Sequence, residues 1–349
     1  MRRFVVSLAV VCALATGCGS SDNASNSTST KPADTGSTSA PATDPVPTTT
    51  IATITERGTL AVGERVETYV DASRPTAANK DYAGADDRTF ETVLWYPATG
   101  SPSGSDKVPD ATVDAPIDTD HGPYPLIVLS HGWTANPQVY QVLGRTWASA
   151  GYVVAAPAYP LSNTSAPGGP IIGDVSNQPA DATFVLDQVL ADATLAPVLD
   201  ESSIGAAGHS LGAITTFGLA YADCCTDDRI DATIPMAGVA GLVESPDNYF
   251  DGPATPLLVI HGTDDTTVPY ASSVDAYAKA SAPKMFVTFQ GGDHIWPYIG
   301  GAADDRRVSF QEMTTAWWDH WLKDDANALA RVRSAVGTSD PPASLQESL

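Results

Sequence analysis

The chain has 349 residues, 43% hydrophobic and 8% aromatic, which is enough for one large domain or two small ones with a real core. Its 41 Asp and Glu outnumber 18 Lys and Arg, leaving a formal charge of −23. A surface that acidic repels phosphate backbones and anionic headgroups, which excludes nucleic acid and a charged membrane surface as electrostatic partners.

At the N-terminus, Arg2 and Arg3 precede an apolar run from Phe4 to Ala15, too short to span a bilayer as a permanent helix. It ends in Leu14-Ala15-Thr16-Gly17-Cys18, and small residues before a cysteine resemble the bacterial lipobox. The expectation is a signal peptide over residues 1–17, cleavage before Cys18 and lipid on its thiol, so that the protein is exported and anchored to the outer face of the membrane only by that lipid. An ordinary secretory signal would instead release it. Residues 18–50 are Ser, Thr, Pro, Ala and Asp with almost nothing large and apolar; such a stretch cannot offset its ordering entropy and reads as a flexible tether. The folded domain is expected over residues 51–335, with a flexible tail over 336–349. Cys224 and Cys225 are adjacent in sequence, and two readings stay open: a vicinal disulfide, or two packed thiols at a helix end.

From residue 58 onward, apolar, β-branched runs alternate with helical patterns. Gly58 to Val70 and Phe90 to Tyr96 read as leading strands. Tyr124 to Ser130, Tyr152 to Ala156, Ile204 to Gly208, Ala232 to Ala237, Pro256 to Ile260 and Lys284 to Phe289 read as buried parallel strands. Helical patterns fall at Val139 to Ala150, Pro179 to Leu190, Leu211 to Ala222, Ala271 to Ala280 and Ser309 to Leu322. This alternation predicts an α/β fold: a doubly wound, mostly parallel sheet of about eight strands with helices on both faces and its site at the carboxyl ends of the strands. The loops from Tyr159 to Gln178 and from Gly241 to Ala254 are too short for a cap domain, so an open cleft is expected.

Gly208-His209-Ser210-Leu211-Gly212 follows an apolar strand and precedes a helical run. That is the context of a nucleophile elbow, where the chain turns too sharply for side chains beside the serine. A serine hydroxyl needs a base to take its proton. Of the six histidines, His294 alone follows the last strand, on the glycine-loosened stretch Gln290-Gly291-Gly292-Asp293, in the chain order serine, acid, histidine. After the strand ending at Ile260 two aspartates compete for the acid, Asp264 and Asp265, with Asp293 a distant third. For the oxyanion, the backbone N–H groups of Leu211 and of Trp133, in Ser130-His131-Gly132-Trp133-Thr134, are the expected donors. The rings of Trp133 and Trp296 are candidates for substrate binding; Tyr140, Tyr249 and Phe250 are weaker ones. Trp317, Trp318 and Trp321 read as packing. No metal-ligand spacing and no phosphate loop appear in the sequence, so neither a metal nor another cofactor is expected.

The stretches LIVLSHGW, GYVVAAPAYP, GHSLG, HGTDDTTVP and GGDH resemble the α/β-hydrolase superfamily, and within it the bacterial relatives of platelet-activating-factor acetylhydrolase, dienelactone hydrolase and the PETase-like or cutinase-like polyester hydrolases. Val70 to Thr76, Arg88-Thr89 and Trp95-Tyr96-Pro97 are similar to the leading strands of the acetylhydrolase branch. The resemblance covers roughly residues 55 to 325 and departs at Leu211, where polyester hydrolases more often carry Met. It implies the H-G-x-x-D-x-x-V-P pattern, which puts the acid at Asp265. It also implies a cofactor-free monomeric serine esterase acting on short- to medium-chain esters, polyesters or lipid acetyl esters. Two other classes share the motifs: an acyltransferase on envelope lipids or sugars, and a non-catalytic binding protein on the same scaffold, although such proteins typically lose a triad member.

Overall fold

The computed structural model describes residues 58–349 except 106–107, 245, 300–304 and 340–341. The expected signal peptide, the tether with Cys18, and residues 51–57 of the expected domain lie outside the described residues.

In chain order the strands are β1 (Ala61–Asp71), β2 (Arg88–Ala98), β3 (Gly104–Ser105), β4 (Val108–Pro109), β5 (Ala111–Val113), β6 (Tyr124–Ser130), β7 (Val153–Pro157), β8 (Leu199–His209), β9 (Ile230–Met236), β10 (Leu257–Gly262), β11 (Lys284–Phe289) and β12 (Ala343–Ser348). The helices are α1 (Gln141–Ser149), α2 (Gln178–Leu190), α3 (Leu211–Tyr221), α4 (Tyr270–Lys279), α5 (Asp305–Leu322) and α6 (Ala328–Gly337). The main sheet runs β12-β11-β10-β9-β8-β6-β7-β2-β1-β5. From β7 through β11 neighbours are parallel; β2 on β7, β1 on β2 and β12 on β11 are antiparallel.

Every residue of β6, β7 and β10 is buried, because helices cover both faces and no face is left for water. The period-two alternation decides which face each side chain serves. Leu126, Val128, Leu257 and Val259 join the core under α2, α3 and α4, whereas Ile127, Leu129, Leu258 and Ile260 join the core under α1, α5 and α6. Each such side chain contributes about 1.5–3 kcal/mol by leaving water. Trp317 and Trp318 are fully buried in the second core, and Trp318 meets Trp147 edge to face at 5.7 Å.

The doubly wound sheet matches the expectation, but it has ten strands rather than about eight. The short β5 extends one edge beside β1, and β12 forms the other. The described part of residues 336–349 is therefore no flexible tail: α6 runs to Gly337, and β12 pairs with β11 over six positions, from Lys284–Ser348 to Phe289–Ala343. Polar, alternating ASLQES carries little core signal, because only Ala343 and Leu345 of its six residues pack against the core beside the edge of β11. Cys224 and Cys225 are joined by a disulfide in the turn after α3, where Glu244 accepts the Cys224 N–H at 2.8 Å. Among the described residues no helix is long and apolar enough to cross a membrane.

The chain leaves β6 toward β7 on one side, while β8 lies on the other. A reversal of strand order opens a crevice at the carboxyl ends of β6 and β8. Residues 131–136 and Ser210 stand there. Among the described residues no cap domain covers them: the segments from Pro157 to α2 and from β9 to β10 hold single 3-10 turns, Ile172–Asn177 and Pro246–Asn248.

Candidate active site

Ser210 stands between β8 and α3 with φ +57° and ψ −114°, a left-handed conformation costly for any residue with a Cβ. Hydrogen bonds hold it there: its N–H donates to the Met236 carbonyl at 2.9 Å, and its carbonyl accepts the Ala213 N–H at 3.0 Å. The flanking glycines are required by contact. A Cβ at Gly208 would stand 2.1 Å from the Gly212 carbonyl oxygen, and one at Gly212 would stand 2.0 Å from that of Ser130. The start of α3 therefore lies against the end of β6.

The three residues expected to form a triad meet. Ser210 Oγ lies 2.8 Å from His294 Nε2, and His294 Nδ1 lies 2.7 Å from Asp265 Oδ2. Asp265 is 8% exposed, and its other oxygen accepts the N–H groups of Thr267 and Val268, both at 2.8 Å. Burial works against its ionisation, but the hydrogen bonds from His294, Val268 and Thr267 outweigh it and hold the carboxyl below the usual carboxylate range. An ionised acceptor at Nδ1 requires the proton there, which leaves Nε2 free to take the Ser210 proton. Of the competing aspartates, Asp264 is exposed and bonds to Thr263, and Asp293 Oδ1 accepts the N–H groups of Ile295 and Trp296, shaping the turn under the base.

The expected oxyanion donors lie beside the serine. A Cβ at Gly132 would be 3.3 Å from Ser210 Cβ. The N–H groups around the two candidates are already used: Gly132 on Tyr140 Oη, Thr134 on the Ser162 carbonyl, Ser210 on Met236. Those of Trp133 and Leu211 have no acceptor among the described residues. His131 fixes the loop, since its Nδ1–H donates to the Gly132 carbonyl at 2.8 Å and its Nε2 accepts the Tyr159 N–H at 3.0 Å.

The aromatic candidates divide. Trp133 is 45% exposed, one residue from the glycine that stands beside Ser210. Trp296 is half-buried and packs edge-on against Phe289 at 5.4 Å, so the exposed apolar side chain next to His294 is Ile295 and not Trp296. Tyr140 is buried behind the loop, and Tyr249 and Phe250 pack beside Tyr221. Other exposed apolar side chains are Ile172 and Leu242, next to a small cluster of Val175, Leu211 and Ile214 with Val239 and Val243.

Sequence reasoning missed two histidines here. His261 Nε2 is 3.0 Å from Asp265 Oδ2, and its spacing of four from the acid inside H-G-x-x-D is the signal that could have found it. His209 reaches the His294 carbonyl at 2.7 Å, a contact that no local pattern encodes. His121 pairs with Asp118 and His320 with the Asp325 carbonyl, apart from this centre. Among the described residues no group of three or more His, Cys, Asp or Glu is placed to hold a metal ion.

Residues 103–249, less than half of the chain, match the model of the chlorophyllase family. A lipase, Lipase 1 of Moraxella sp. (strain TA144), is 27% identical over 158 residues, covering 44% of this chain and 44% of the lipase, so the chain spans less than half the length of that curated relative. Among solved structures, a ferulic acid esterase from Streptomyces cinnamoneus superposes with a TM-score of 0.62 at 22% identity, covering 85% of this chain and 99% of that one.

Proposed function

We propose that this protein, which has the α/β-hydrolase fold, hydrolyses carboxylic esters through an acyl-Ser210 intermediate. The observation that carries the reading is the unbroken chain Asp265–His294–Ser210, with links of 2.7 and 2.8 Å, at the carboxyl edge of the sheet. The likeness to a lipase and to a ferulic acid esterase supports it.

His294 Nε2 takes the Ser210 proton as Oγ attacks the ester carbonyl. The developing oxyanion is met by the Trp133 and Leu211 N–H groups. The imidazolium, stabilised by Asp265, then protonates the leaving alcohol, and the same nitrogen activates water for deacylation. Every proton moved is carried by side chains of this chain or by water.

Trp133, Ile172, Leu242 and Ile295 are 45–54% exposed and belong to segments around the serine. Such a rim suits an apolar acyl group and an uncapped site, hence short- to medium-chain esters. We also propose that the protein is exported and tethered through Cys18. The disulfide between Cys224 and Cys225 fits an oxidising compartment; labelled palmitate that is incorporated equally by wild type and Cys18→Ser would sink this reading.

The deciding experiment is hydrolysis of p-nitrophenyl esters from acetate to palmitate by wild type and Ser210→Ala. Turnover of the shorter esters that vanishes in Ser210→Ala is expected; full activity in Ser210→Ala overturns the assignment. Added acceptor alcohol should leave the free acid as the main product, whereas a predominant new ester would make the protein an acyltransferase.

A further inference from the structure

Between the loop that carries Trp133 and the loop that carries His294 lies a continuous chain of hydrogen bonds through two buried rings. The Gly132 N–H meets Tyr140 Oη at 3.0 Å, Tyr140 Oη meets His209 Nδ1 at 2.9 Å, and His209 Nε2 meets the His294 carbonyl oxygen at 2.7 Å. Tyr140 and His209 are 1% and 2% exposed. We propose that Tyr140 and His209 are positioning residues that tie the oxyanion loop to the base, through the residue preceding the nucleophile; this deepens, and rests on, the esterase reading.

The chemistry at each end forces every donor. A carbonyl only accepts, so His209 Nε2 carries a proton toward His294. The imidazole is neutral, its pKa pushed down to about 3, first by burial and then by the neighbouring His294. Nδ1 therefore has no proton and accepts the Tyr140 hydroxyl. That hydroxyl, having donated, uses its oxygen to accept the Gly132 N–H. One arrangement satisfies the whole chain, and no alternative tautomer of His209 does.

Rings reinforce the line. His209 stacks on Tyr298 at 4.9 Å with 29° between planes, and its ring lies 4.9 Å from that of His294. The bond to the His294 backbone sets the height of the imidazole over Ser210. The bond to Gly132 sets the peptide immediately before the Trp133 N–H. A fixed separation between base and oxyanion donors matters most when the oxyanion forms, because misplacing a reacting group by 1 Å costs on the order of 100-fold. Both side chains are buried and hydrogen-bond to the two loops rather than to Ser210, so their action is on position.

The test compares wild type, Tyr140→Phe, His209→Gln and the double variant in the full chain. Tyr140→Phe keeps the ring and removes only the hydroxyl. His209→Gln keeps an amide donor toward His294 but has no acceptor at the Nδ1 position that Tyr140 uses. Two readouts are taken: p-nitrophenyl acetate kinetics, and the rate at which a fluorophosphonate probe labels Ser210. Tyr140→Phe should lower kcat and the labelling rate together by about 10-fold with KM within about twofold, the pattern of lost transition-state stabilisation. The same change in the His209→Gln background should cost less than about twofold, since the chain is already cut. A lowered denaturation midpoint with unchanged kcat and labelling would make the chain merely structural and overturn the proposal, as would full additivity. If wild type is labelled but cleaves no ester, the esterase reading fails and the labelling rates still decide this one. No labelling of folded wild type overturns both.

Discussion

His261 and His294 share one carboxylate: His261 Nε2 lies 3.0 Å from the Asp265 oxygen that His294 Nδ1 approaches at 2.7 Å. A carboxylate only accepts, so the His261 proton is on Nε2, and Nδ1 accepts the Ser273 hydroxyl at 2.6 Å. His261 is fully buried, and burial lowers its pKa, so it serves as a neutral donor.

His261→Leu therefore removes one donor from a buried carboxylate, a change worth about 1–1.5 kcal/mol. The expected result is a fall in kcat of about 10-fold with little change in KM. His261→Gln, which places an amide N–H near the same point, should recover most of the loss. Equal activity of wild type and His261→Leu would show that His294 alone suffices to hold Asp265.

Ser210 occupies φ +57°, where a Cβ is strained and glycine is not. Ser210→Gly and Ser210→Ala both remove the hydroxyl, but only the first releases the strain. After subtracting the greater chain entropy of unfolded glycine, Ser210→Gly should be more stable than Ser210→Ala by about 1 kcal/mol. Urea midpoints of the two variants decide it, and a less stable glycine variant would mean that the elbow stores no strain.

Acid should unfold this protein through its buried histidines. His131 has its pKa pushed down to about 4, chiefly by burial, and stays neutral in the fold, whereas the unfolded chain binds a proton near the ordinary value of 6.5. The unfolded state thus holds the extra proton between pH 6.5 and 4, and stability drops with falling pH across that window by about 1.4 kcal/mol per pH unit for each such histidine. Asp265, whose pKa is depressed, acts in the same direction at lower pH, losing its contribution as the carboxyl protonates. Urea-derived stabilities from pH 7 to 4.5 should fall less steeply in His131→Asn than in wild type; parallel curves would refute the assignment.

Removing residues 338–349 deletes β12 and bares the edge of β11. The truncated chain should lose several kcal/mol and self-associate, because an open edge strand offers unpaired N–H and C=O groups. Light scattering and thermal melting of the truncated and full chains would measure both effects, and identical melting would return this segment to the status of a tail.

The sequence by itself determined the sheet class and the strand–turn–helix setting of Ser210, and chain order singled out His294 while leaving Asp264 and Asp265 both open. The continuous apolar runs at Tyr124 to Ser130 and Pro256 to Ile260 are what burial on both faces demands, and the glycines at 208 and 212 mark a close approach of backbones. Those are local signals, written in period and spacing. The tertiary structure alone decided the rest. ASLQES offers only Ala343 and Leu345 to the core, too little to mark a strand, so its pairing with β11 depends on an edge that exists only once the sheet is assembled. Trp296 looked like a cleft wall from its place beside His294, but the turn capped by Asp293 points its ring at Phe289. His209 meets a carbonyl 85 residues away, and His261 finds its carboxylate already shared with His294. Hydrogen bonds between distant segments leave no periodicity behind, because their energy depends on where folded loops converge and not on the order of neighbouring residues.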